Sequence, residues 1–184
     1  MMEQQTLYGP VSTTLWRRLG HIRLLICDVD GVLSDGMIYL GNQGEEYKSF
    51  CTKDGFGIKA LLNAGIQVAV ITGRDSHIVS ERMASLGVRH VYQGQGDKMH
   101  SYRALLDTLK LAPEQAAYIG DDVVDLPVMR DCGLGVAVCD AHPLVLRGAD
   151  YITRLHGGHG AVRELCDLLL EARGALADAK GMSV

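Results

Sequence analysis

The stretch Ile22-Arg-Leu-Leu-Ile-Cys-Asp-Val-Asp-Gly31 decides the fold that we predict for this chain. Apart from one arginine, its first six residues are apolar, and the run ends at Asp28. A short apolar run without alternation is typical of a strand that is buried on both faces, as in a parallel sheet. Asp28 and Asp30 follow this strand directly, so two carboxylates that repel each other stand at its carboxyl end. This strand end is therefore the first candidate for a functional site.

Runs of similar length and composition recur along the chain, and stretches with helical periodicity separate them. In residues 75–86, for example, Val79, Met83 and Leu86 recur at helical spacing. The alternation of strand and helix predicts an α/β fold, with a three-layer, doubly wound parallel sheet and helices on both faces. The predicted strands are residues 22–28, 67–71, 89–92, 116–119 and 135–138.

Residues 36–50 break this alternation and predict a β-hairpin inserted after the first strand. Two extended runs flank a turn between Gly41 and Gly44. The hairpin would lie over the strand ends, and so short a segment has too little chain to cover its own apolar side chains. We therefore expect a neighbouring subunit to cover them. These side chains are Met37, Ile38, Tyr39, Tyr47 and Phe50.

Length and composition indicate one globular domain over residues 1–184. The chain has 184 residues, 47% of them hydrophobic and 22% charged, which suits a single hydrophobic core. After Arg173 little apolar sequence remains to anchor the chain, so a flexible tail is expected at about 174–184. A net charge of −4 argues against nucleic acid as a partner, because binding to a phosphate backbone needs clustered basic side chains.

Cysteine usage and hydropathy predict a cytoplasmic protein with no membrane partner. The five cysteines are an odd number without a Cys-x-x-Cys pair, so neither a disulfide framework nor a thiolate zinc site is indicated. No apolar stretch approaches the ~18 residues of a membrane span, and the amino-terminal residues lack the pattern of a signal peptide.

Polar clusters follow three of the predicted strands, and the carboxyl ends of parallel strands meet at one edge of a sheet. Four carboxylates gathered at this edge need a cation, and oxygen atoms are the ligands that Mg²⁺ prefers. Lys98, at the start of a predicted helix, is a further cation for the same site. The three clusters contain Asp28 and Asp30, then Thr72, Gly73 and Arg74, then Asp121 and Asp122.

The order of these motifs resembles that of the haloacid dehalogenase-like phosphohydrolases. The resemblance runs from about residue 22 to residue 152, and it implies a phosphatase with Asp28 as nucleophile and Asp30 as general acid/base. It also implies that Mg²⁺ is held by Asp28, Asp121 and the main-chain carbonyl of Asp30. The motifs are Asp28-Val-Asp30-Gly-Val-Leu, Ile71-Thr72-Gly73-Arg74, Lys98 and Gly120-Asp121-Asp122-x-x-Asp125.

The other residues of the predicted site suit an attack on a phosphate dianion. A carboxylate reaches phosphorus only when the negative charge of the dianion is offset, which Lys98, the hydroxyl of Thr72 and the N–H groups of residues 72–74 would do. The resemblance also implies that Asp122 and Asp125 lie at the metal. Each would act there as a direct ligand, as a ligand through water, or as a group that orients the ligands.

Both positions at which this superfamily carries large cap domains are short here, so the site is open unless another subunit closes it. This geometry resembles the capless subfamily of 3-deoxy-D-manno-octulosonate 8-phosphate phosphatases, which are homotetramers. The resemblance implies hydrolysis of that phosphorylated sugar acid in the synthesis of lipopolysaccharide precursors. Further stretches that carry the resemblance are 53–58, 72–76, 94–98 and 157–164.

A substrate with a carboxylate as well as a phosphate needs additional cations. Lys53, Arg74 and Arg82 are the nearest candidates, and Arg82 serves either its own site or that of a neighbouring subunit. Gly55 and Gly57 have two interpretations: they let the backbone pass close to the substrate, or they make the start of a helix flexible. The predicted substrate-binding set is Lys53, Gly55, Gly73, Arg74 and Arg82.

Two other functions fit parts of this pattern. A phosphatase for 2-keto-3-deoxynonulosonate 9-phosphate, a related nine-carbon acid, shares the capless tetramer and the motifs. Similar domains also occur as non-catalytic, tetramer-forming partners of sugar-nucleotide synthetases. The presence of Asp28, Asp30, Lys98 and Asp121 argues against this second alternative, because a scaffold has no physical need for a repulsive carboxylate cluster.

Overall fold

The structure, a computed structural model, describes residues 2–180. Its strands are β1 (Glu3–Thr6), β2 (Gly9–Ser12), β3 (Leu24–Cys27), β4 (Tyr39–Leu40), β5 (Glu46–Tyr47), β6 (Gln67–Ile71), β7 (His90–Tyr92), β8 (Ala116–Gly120), β9 (Leu134–Ala137) and β10 (Tyr151–Ile152). Its α-helices are α1 (Thr13–His21), α2 (Thr52–Asn63), α3 (His77–Leu86), α4 (Lys98–Leu109), α5 (Leu126–Asp131), α6 (Pro143–Gly148) and α7 (Ala161–Ala172).

Six of these strands form one parallel sheet in the order β10-β9-β8-β3-β6-β7. From β3 the chain continues outward to β6 and β7, then returns to the other side of β3 and adds β8, β9 and β10. Cys27, at the end of β3, pairs with Val70 on one side and with Ile119 on the other. The winding direction therefore reverses between β3 and β8, where ligands of such sheets bind. The predicted fold class is confirmed.

The central strands are buried, and helices pack over the sheet. All four residues of β3 are fully buried, as are Ile71 at the end of β6 and Ile119 within β8. Helix α2 packs against α7, and α4 packs against α5. Burying one leucine or isoleucine side chain stabilises a fold by roughly 1.5–3 kcal/mol. This tightly packed core therefore holds the strand ends at fixed positions.

The amino-terminal elements and the edge strand are features that the sequence patterns do not predict. Strands β1 and β2 form an antiparallel hairpin of four residues each, and β10 has two residues. Such short strands show too little alternation to be recognised. The hairpin is held to the domain by Tyr8, whose hydroxyl donates to Asp167 of α7 at 2.8 Å. Helix α1 begins after Ser12, whose hydroxyl accepts from the N–H of Leu15.

The inserted hairpin is present where the sequence predicts it. Strands β4 and β5 are antiparallel, with Tyr39 opposite Tyr47. The turn closes where Gly41 donates to the carbonyl of Glu45 at 2.8 Å, and Gly44 has a positive φ of 92°. Several of its apolar side chains are more than half exposed. They are Met37 at 58%, Tyr39 at 57%, Leu40 at 75% and Tyr47 at 62%.

The predicted flexible tail has contacts that the sequence does not reveal. Ala175, Leu176 and Ala179 pack against the hydrophobic core. The side-chain amide of Asn63 in α2 donates to the carbonyl of Lys180 at 2.7 Å. Residues 175–180 therefore have contacts on this chain, and the flexibility of the tail stays a prediction. Residues 181–184 lie outside the described residues.

Among residues 2–180, no helix has the length and apolar character needed to cross a membrane. The cysteines are free thiols, and Cys27, Cys132 and Cys166 are buried. Burial raises the pKa of the Cys132 thiol to about 11, so this group is neutral at physiological pH.

Candidate active site

The ends of β3 and β8 place Asp28 and Asp121 beside each other at the reversal of the sheet. Asp28 directly follows β3, and its N–H donates to the carbonyl of Ile119 in β8 at 3.1 Å. Carboxylate oxygens of Asp28, Asp121 and Asp125 all lie within 4.8 Å of one another. Acidic motifs that are far apart in the sequence thus meet at one point, as the sequence predicts.

The loop after Asp28 is a tight turn that requires glycine. The N–H groups of residues 32–34 all donate to the carbonyl of Val29, at 3.1, 2.9 and 3.0 Å. Gly31 has a φ of +91°, and a Cβ at this position would lie 2.1 Å from a carboxylate oxygen of Asp121. Any other residue would be strained and would displace Asp121. The glycine therefore lets the two acidic loops touch.

Lys98 supplies a buried positive charge to this acidic cluster. Helix α4 begins at Lys98 because the Asp97 side chain caps it, accepting from the N–H of Met99 at 3.0 Å. The Lys98 Nζ donates to Asp28 at 2.9 Å and to Asp125 at 2.7 Å. Burial alone would lower the pKa of Lys98, but the carboxylates of Asp28 and Asp125 outweigh burial and raise it. Lys98 therefore stays charged.

Asp125 orients its neighbours rather than presenting a free carboxylate. One of its oxygens accepts from Lys98 at 2.7 Å and from the Tyr118 hydroxyl at 2.7 Å. The other accepts from the N–H groups of Asp121 and Asp122, at 3.0 and 3.2 Å. The side chain is fully buried. Four hydrogen bonds leave Asp125 poorly placed to bind a metal directly, so of the roles that the resemblance allows, the orienting one fits best.

The carboxylates of Asp28 and Asp121 carry more negative charge than Lys98 offsets. Burial, and then the charge of Asp125, raise the pKa of Asp28, while Lys98 opposes the shift. Burial, and then the charges of Asp28 and Asp125, raise the pKa of Asp121. In both cases burial disfavours the charged carboxylate, and the neighbouring carboxylates add to this effect. The cluster therefore favours an additional cation.

Asp30 has a partner that the sequence analysis did not identify. Lys48, the residue after β5, donates its Nζ to a carboxylate oxygen of Asp30 at 2.7 Å, and its side chain is fully buried. The hairpin therefore supplies a cation to the predicted acid/base. Side chains alternate between the two faces of a strand, so residues 46 and 48 share one face and Tyr47 lies on the other. This alternation is the sequence signal from which Lys48 could have been found.

Arg74 is also held by the hairpin. Its Nη2 donates to Glu46 at 3.1 Å, and its Nε lies 3.9 Å from Asp30. The other oxygen of Glu46 accepts from the hydroxyl of Ser76 at 3.0 Å. Asp30, Glu46, Lys48 and Arg74 thus form a network of two carboxylates and two cationic side chains at the mouth of the site. The Arg74 side chain remains 49% exposed and accessible to a ligand.

A cavity of about 330 Å³ opens beside these groups. Thr72 is buried at its wall, and the N–H of Thr72 donates to the carbonyl of Tyr92 at 2.9 Å. Asp122 also lines the cavity, while one of its oxygens accepts from the N–H of Val123 at 2.7 Å. Gln95 and Gly96 are lining residues without a role in the sequence analysis. The full lining is Asp28, Asp30, Thr72, Gly73, Arg74, Gln95, Gly96, Lys98, Asp121, Asp122 and Val124.

Three residues of the predicted substrate-binding set do not line this cavity. Lys53 is exposed in the first turn of α2. Gly55 is buried in the same helix, and a Cβ there would lie 2.5 Å from the Arg82 guanidinium of α3. The glycine therefore provides room for Arg82 between two helices. The roles of Lys53, Gly55 and Arg82 toward a substrate remain predictions.

Comparisons with known proteins show the family of this chain. A family model for haloacid dehalogenase-like hydrolases matches residues 85–165. The 3-deoxy-D-manno-octulosonate 8-phosphate phosphatase of Escherichia coli strain K12 is 56% identical over 179 residues, which cover 97% of this chain and 95% of that protein.

Solved structures of similar proteins share the fold. The 3-deoxy-D-manno-octulosonate 8-phosphate phosphatase from Yersinia pestis has a TM-score of 0.97 and 55% identity, with 100% of this chain and 99% of that chain covered. The Moraxella catarrhalis phosphatase of the same name, in complex with a magnesium ion, a phosphate ion and a KDO molecule, has a TM-score of 0.89 and 40% identity, with 91% and 97% covered. The chain therefore belongs to the haloacid dehalogenase-like hydrolases and, within them, to the family of 3-deoxy-D-manno-octulosonate 8-phosphate phosphatases.

Proposed function

We propose that this chain hydrolyses 3-deoxy-D-manno-octulosonate 8-phosphate to 3-deoxy-D-manno-octulosonate and phosphate, a step in the synthesis of lipopolysaccharide precursors. The observation that carries the proposal is the meeting of Asp28 and Asp121 beside the buried Lys98. Relatives with this activity in their names share 56% of the aligned residues over nearly the whole chain. The reaction is the cleavage of a phosphate monoester through a covalent intermediate on Asp28.

Asp28 acts as nucleophile and Asp30 as acid and then as base. In the first step a carboxylate oxygen of Asp28 attacks phosphorus, and the bond from phosphorus to the sugar oxygen breaks. Asp30 donates its proton to that leaving oxygen. In the second step Asp30 accepts a proton from water, whose oxygen attacks phosphorus. The bond between phosphorus and Asp28 then breaks, and inorganic phosphate leaves.

The donor set of the site fits Mg²⁺. Its side-chain donors are carboxylate oxygens, which this hard cation prefers, and carboxylate oxygens of Asp28, Asp121 and Asp125 lie within 4.8 Å of one another beside the ammonium group of Lys98. We assign Mg²⁺ to Asp28, Asp121 and the main-chain carbonyl of Asp30, with Asp122 acting through water. When bound, the ion would offset the charge of the phosphate and of the attacking carboxylate.

Side chains of the chain itself complete the binding of phosphate. Lys98 places a permanent positive charge 2.9 Å from Asp28, where the phosphoryl group arrives. Thr72, Gly73 and Arg74 line the same cavity after the end of β6. We assign phosphate binding to the hydroxyl of Thr72 and the N–H groups of Gly73 and Arg74. Because these donors sit on rigid elements, they need little reorganisation during the reaction.

The sugar acid carries a carboxylate that requires cations at the mouth of the cavity. Arg74 is placed there and half exposed, and its partner Glu46 holds it in position until an anionic substrate arrives. Lys53 and Arg82 lie outside the cavity of their own chain. We assign them to the site of a neighbouring subunit in a homotetramer, whose contacts would cover the exposed hairpin side chains. We place this assembly in the cytoplasm.

Phosphate release from a panel of sugar phosphates tests the proposed activity. The panel contains the eight-carbon substrate, 2-keto-3-deoxynonulosonate 9-phosphate and simple hexose phosphates, each assayed with Mg²⁺ and with a chelator. We expect the eight-carbon substrate to have the highest kcat/KM and the chelator to abolish release. Equal rates across the panel would indicate a general phosphatase instead of a specific one. A preference for the nine-carbon acid phosphate would show that this compound, and not the eight-carbon one, is the substrate.

A further inference from the structure

The segment 156–160, which we name the glycine loop, packs directly against the loop that carries the nucleophile. Gly157 approaches so closely that a Cβ on it would lie 1.7 Å from the carbonyl oxygen of Gly31. Gly158 has a φ of +72°, and a Cβ on it would lie 2.3 Å from the N–H nitrogen of Asp35. The N–H of Gly158 donates to the carbonyl of Val32 at 2.8 Å. Backbone therefore rests on backbone along this contact.

Gly31 is enclosed from two directions. On one side, a Cβ would meet a carboxylate oxygen of Asp121 at 2.1 Å, and on the other side its carbonyl faces Gly157. The peptide that follows Asp30 is thus held between a proposed metal ligand and the glycine loop. A shift of the glycine loop by a fraction of an ångström would move this peptide, because close-packed interiors transmit such displacements.

The glycine loop is itself anchored by a buried carboxylate. Glu164 is fully buried, and its oxygens accept from the N–H of Arg154 at 3.0 Å, the N–H of Leu155 at 3.1 Å and the hydroxyl of Tyr151 at 2.6 Å. This side chain therefore holds the segment that leads from β10 into the glycine loop. A buried carboxylate is costly unless all of its hydrogen bonds are made.

Two further aspartates hold the other parts of the loop. Asp140 accepts from the N–H of Gly157 at 3.0 Å. Asp54, buried at the start of α2, accepts at 2.8 Å from the N–H of Arg163, in the first turn of the helix that follows the loop. Three carboxylates thus hold this short connection in place. A segment that only linked β10 to α7 would not require them.

We infer that Gly157 and Gly158 are positioning residues for the nucleophile loop, and that Asp140 and Glu164 hold them in place. The inference rests on the proposed function. The glycine loop sets the position of the Gly31 peptide, and through it the main-chain carbonyl of Asp30 and the side chain of Asp28. It touches neither substrate nor metal. Its contribution is to keep the acidic groups at the separation that a shared cation needs.

The variant Gly157→Ala tests this inference most directly. We expect Mg²⁺ to bind roughly 10- to 100-fold more weakly, measured by calorimetry with the metal alone, and kcat to fall by a similar factor. Hydrogen exchange at residues 29–34 should become faster. Gly133→Ala is the matched control, since its Cβ would also meet backbone, the carbonyl oxygen of Glu114 at 2.2 Å, but at the opposite edge of the sheet. We expect it to lower the Tm and leave Mg²⁺ binding unchanged.

A milder variant covers the case in which Gly157→Ala fails to fold. Asp140→Ala removes one hydrogen bond to Gly157 from a side chain that is 43% exposed. We expect Mg²⁺ binding to weaken roughly fivefold, the equivalent of one hydrogen bond, and the Tm to fall by only a few degrees. The inference is wrong if a folded Gly157→Ala or Asp140→Ala binds Mg²⁺ like the wild type, or if Gly133→Ala weakens binding equally. A wild type that binds Mg²⁺ but cleaves no sugar phosphate would instead contradict the proposed function.

Discussion

At the scale of single residues, the acidic cluster depends on the buried pair of Lys98 and Asp125. Asp125 accepts four hydrogen bonds, from Lys98, Tyr118 and the N–H groups of Asp121 and Asp122. An asparagine in its place has one accepting oxygen and one donating nitrogen. Its N–H groups would therefore face hydrogen-bond donors that now bind a carboxylate oxygen. The cluster therefore requires a carboxylate at this position even though that carboxylate is not positioned as a direct metal ligand.

Replacing Asp125 should consequently cost stability as well as activity. We expect Asp125→Asn to lower the free energy of unfolding by about 3–5 kcal/mol, because it leaves a buried lysine and two N–H groups poorly paired. Urea denaturation measures this difference. Asp122→Asn serves as the control, since that side chain is exposed and makes only local hydrogen bonds within residues 122–125. A loss below 1 kcal/mol in Asp125→Asn, on the order of a surface change, would contradict the role given to Asp125.

Metal binding should depend on pH because of the raised pKa values at residues 28 and 121. Below the value of about 8 to which Asp121 is raised, protons compete with Mg²⁺ for its carboxylate. The apparent Mg²⁺ affinity should therefore rise with pH up to about that value, and binding should release protons. Calorimetry in two buffers of different ionisation enthalpy measures the number of protons released. The absence of proton release at pH 7, or an Mg²⁺ affinity that falls as pH rises, would contradict this prediction.

The sequence identified the acidic residues of the site but missed Lys48 and Tyr118. Asp28, Asp30 and Asp121 follow strands, and their place at one sheet edge is a consequence of the alternation of strands and helices. Lys48 comes from a hairpin, whose inward face depends on a register that two-residue strands do not reveal. Tyr118 lies within the apolar run of β8 and looks like core until its hydroxyl is seen at Asp125.

At the scale of elements, the inserted hairpin delivers charge to the site. Strand β5 and the residue after it carry Glu46 and Lys48, which hold Arg74 and Asp30 respectively. The insertion therefore holds two residues that line the cavity of its own chain, in addition to the role in assembly that its exposed apolar residues suggest. The short edge strand and the amino-terminal hairpin escaped prediction because their stability comes from contacts distant in sequence, such as that of Tyr8 with Asp167.

Lys48 provides the test of the hairpin's contribution. We expect Lys48→Met to lower kcat for the sugar phosphate by roughly 10- to 100-fold, because Asp30 loses the partner that orients it, while KM changes little. Lys48→Arg should restore part of the rate, since it keeps the charge. Steady-state kinetics of both variants measure these effects. Equal losses in both, or a change confined to KM, would indicate a role in substrate binding instead of positioning.

At the scale of the whole molecule, the order of motifs along the chain was enough to predict a doubly wound sheet with a site at its reversal. The sequence does not show whether a predicted substrate-binding residue serves its own chain or another one. Lys53 and Arg82 illustrate the difficulty, because they belong to the predicted substrate set but lie outside the cavity of their own chain. A single chain brings Asp28, Asp30 and Lys98 together at one cavity, where the side chain of Arg74 is half exposed.

Self-association follows from the exposed side chains of the hairpin. We expect the wild type to sediment as a tetramer at micromolar concentration, and the double variant Tyr39→Asp with Tyr47→Asp to sediment as a smaller species. These two side chains are 57% and 62% exposed and face each other across the hairpin, so burying added charge would be unfavourable. Sedimentation velocity distinguishes the two. A wild type that sediments as a monomer would contradict the proposed tetramer.

The central claim is that Asp28 becomes phosphorylated during turnover, and chemical trapping tests it most directly. Rapid mixing of enzyme, Mg²⁺ and substrate is followed by borohydride, which reduces an acyl phosphate to an alcohol. Peptide mass spectrometry should then find homoserine at position 28, dependent on Mg²⁺ and absent from Asp28→Asn, which should also show no turnover. Reduction at a different carboxylate, or turnover without any trapped residue together with an active Asp28→Asn, would contradict the mechanism.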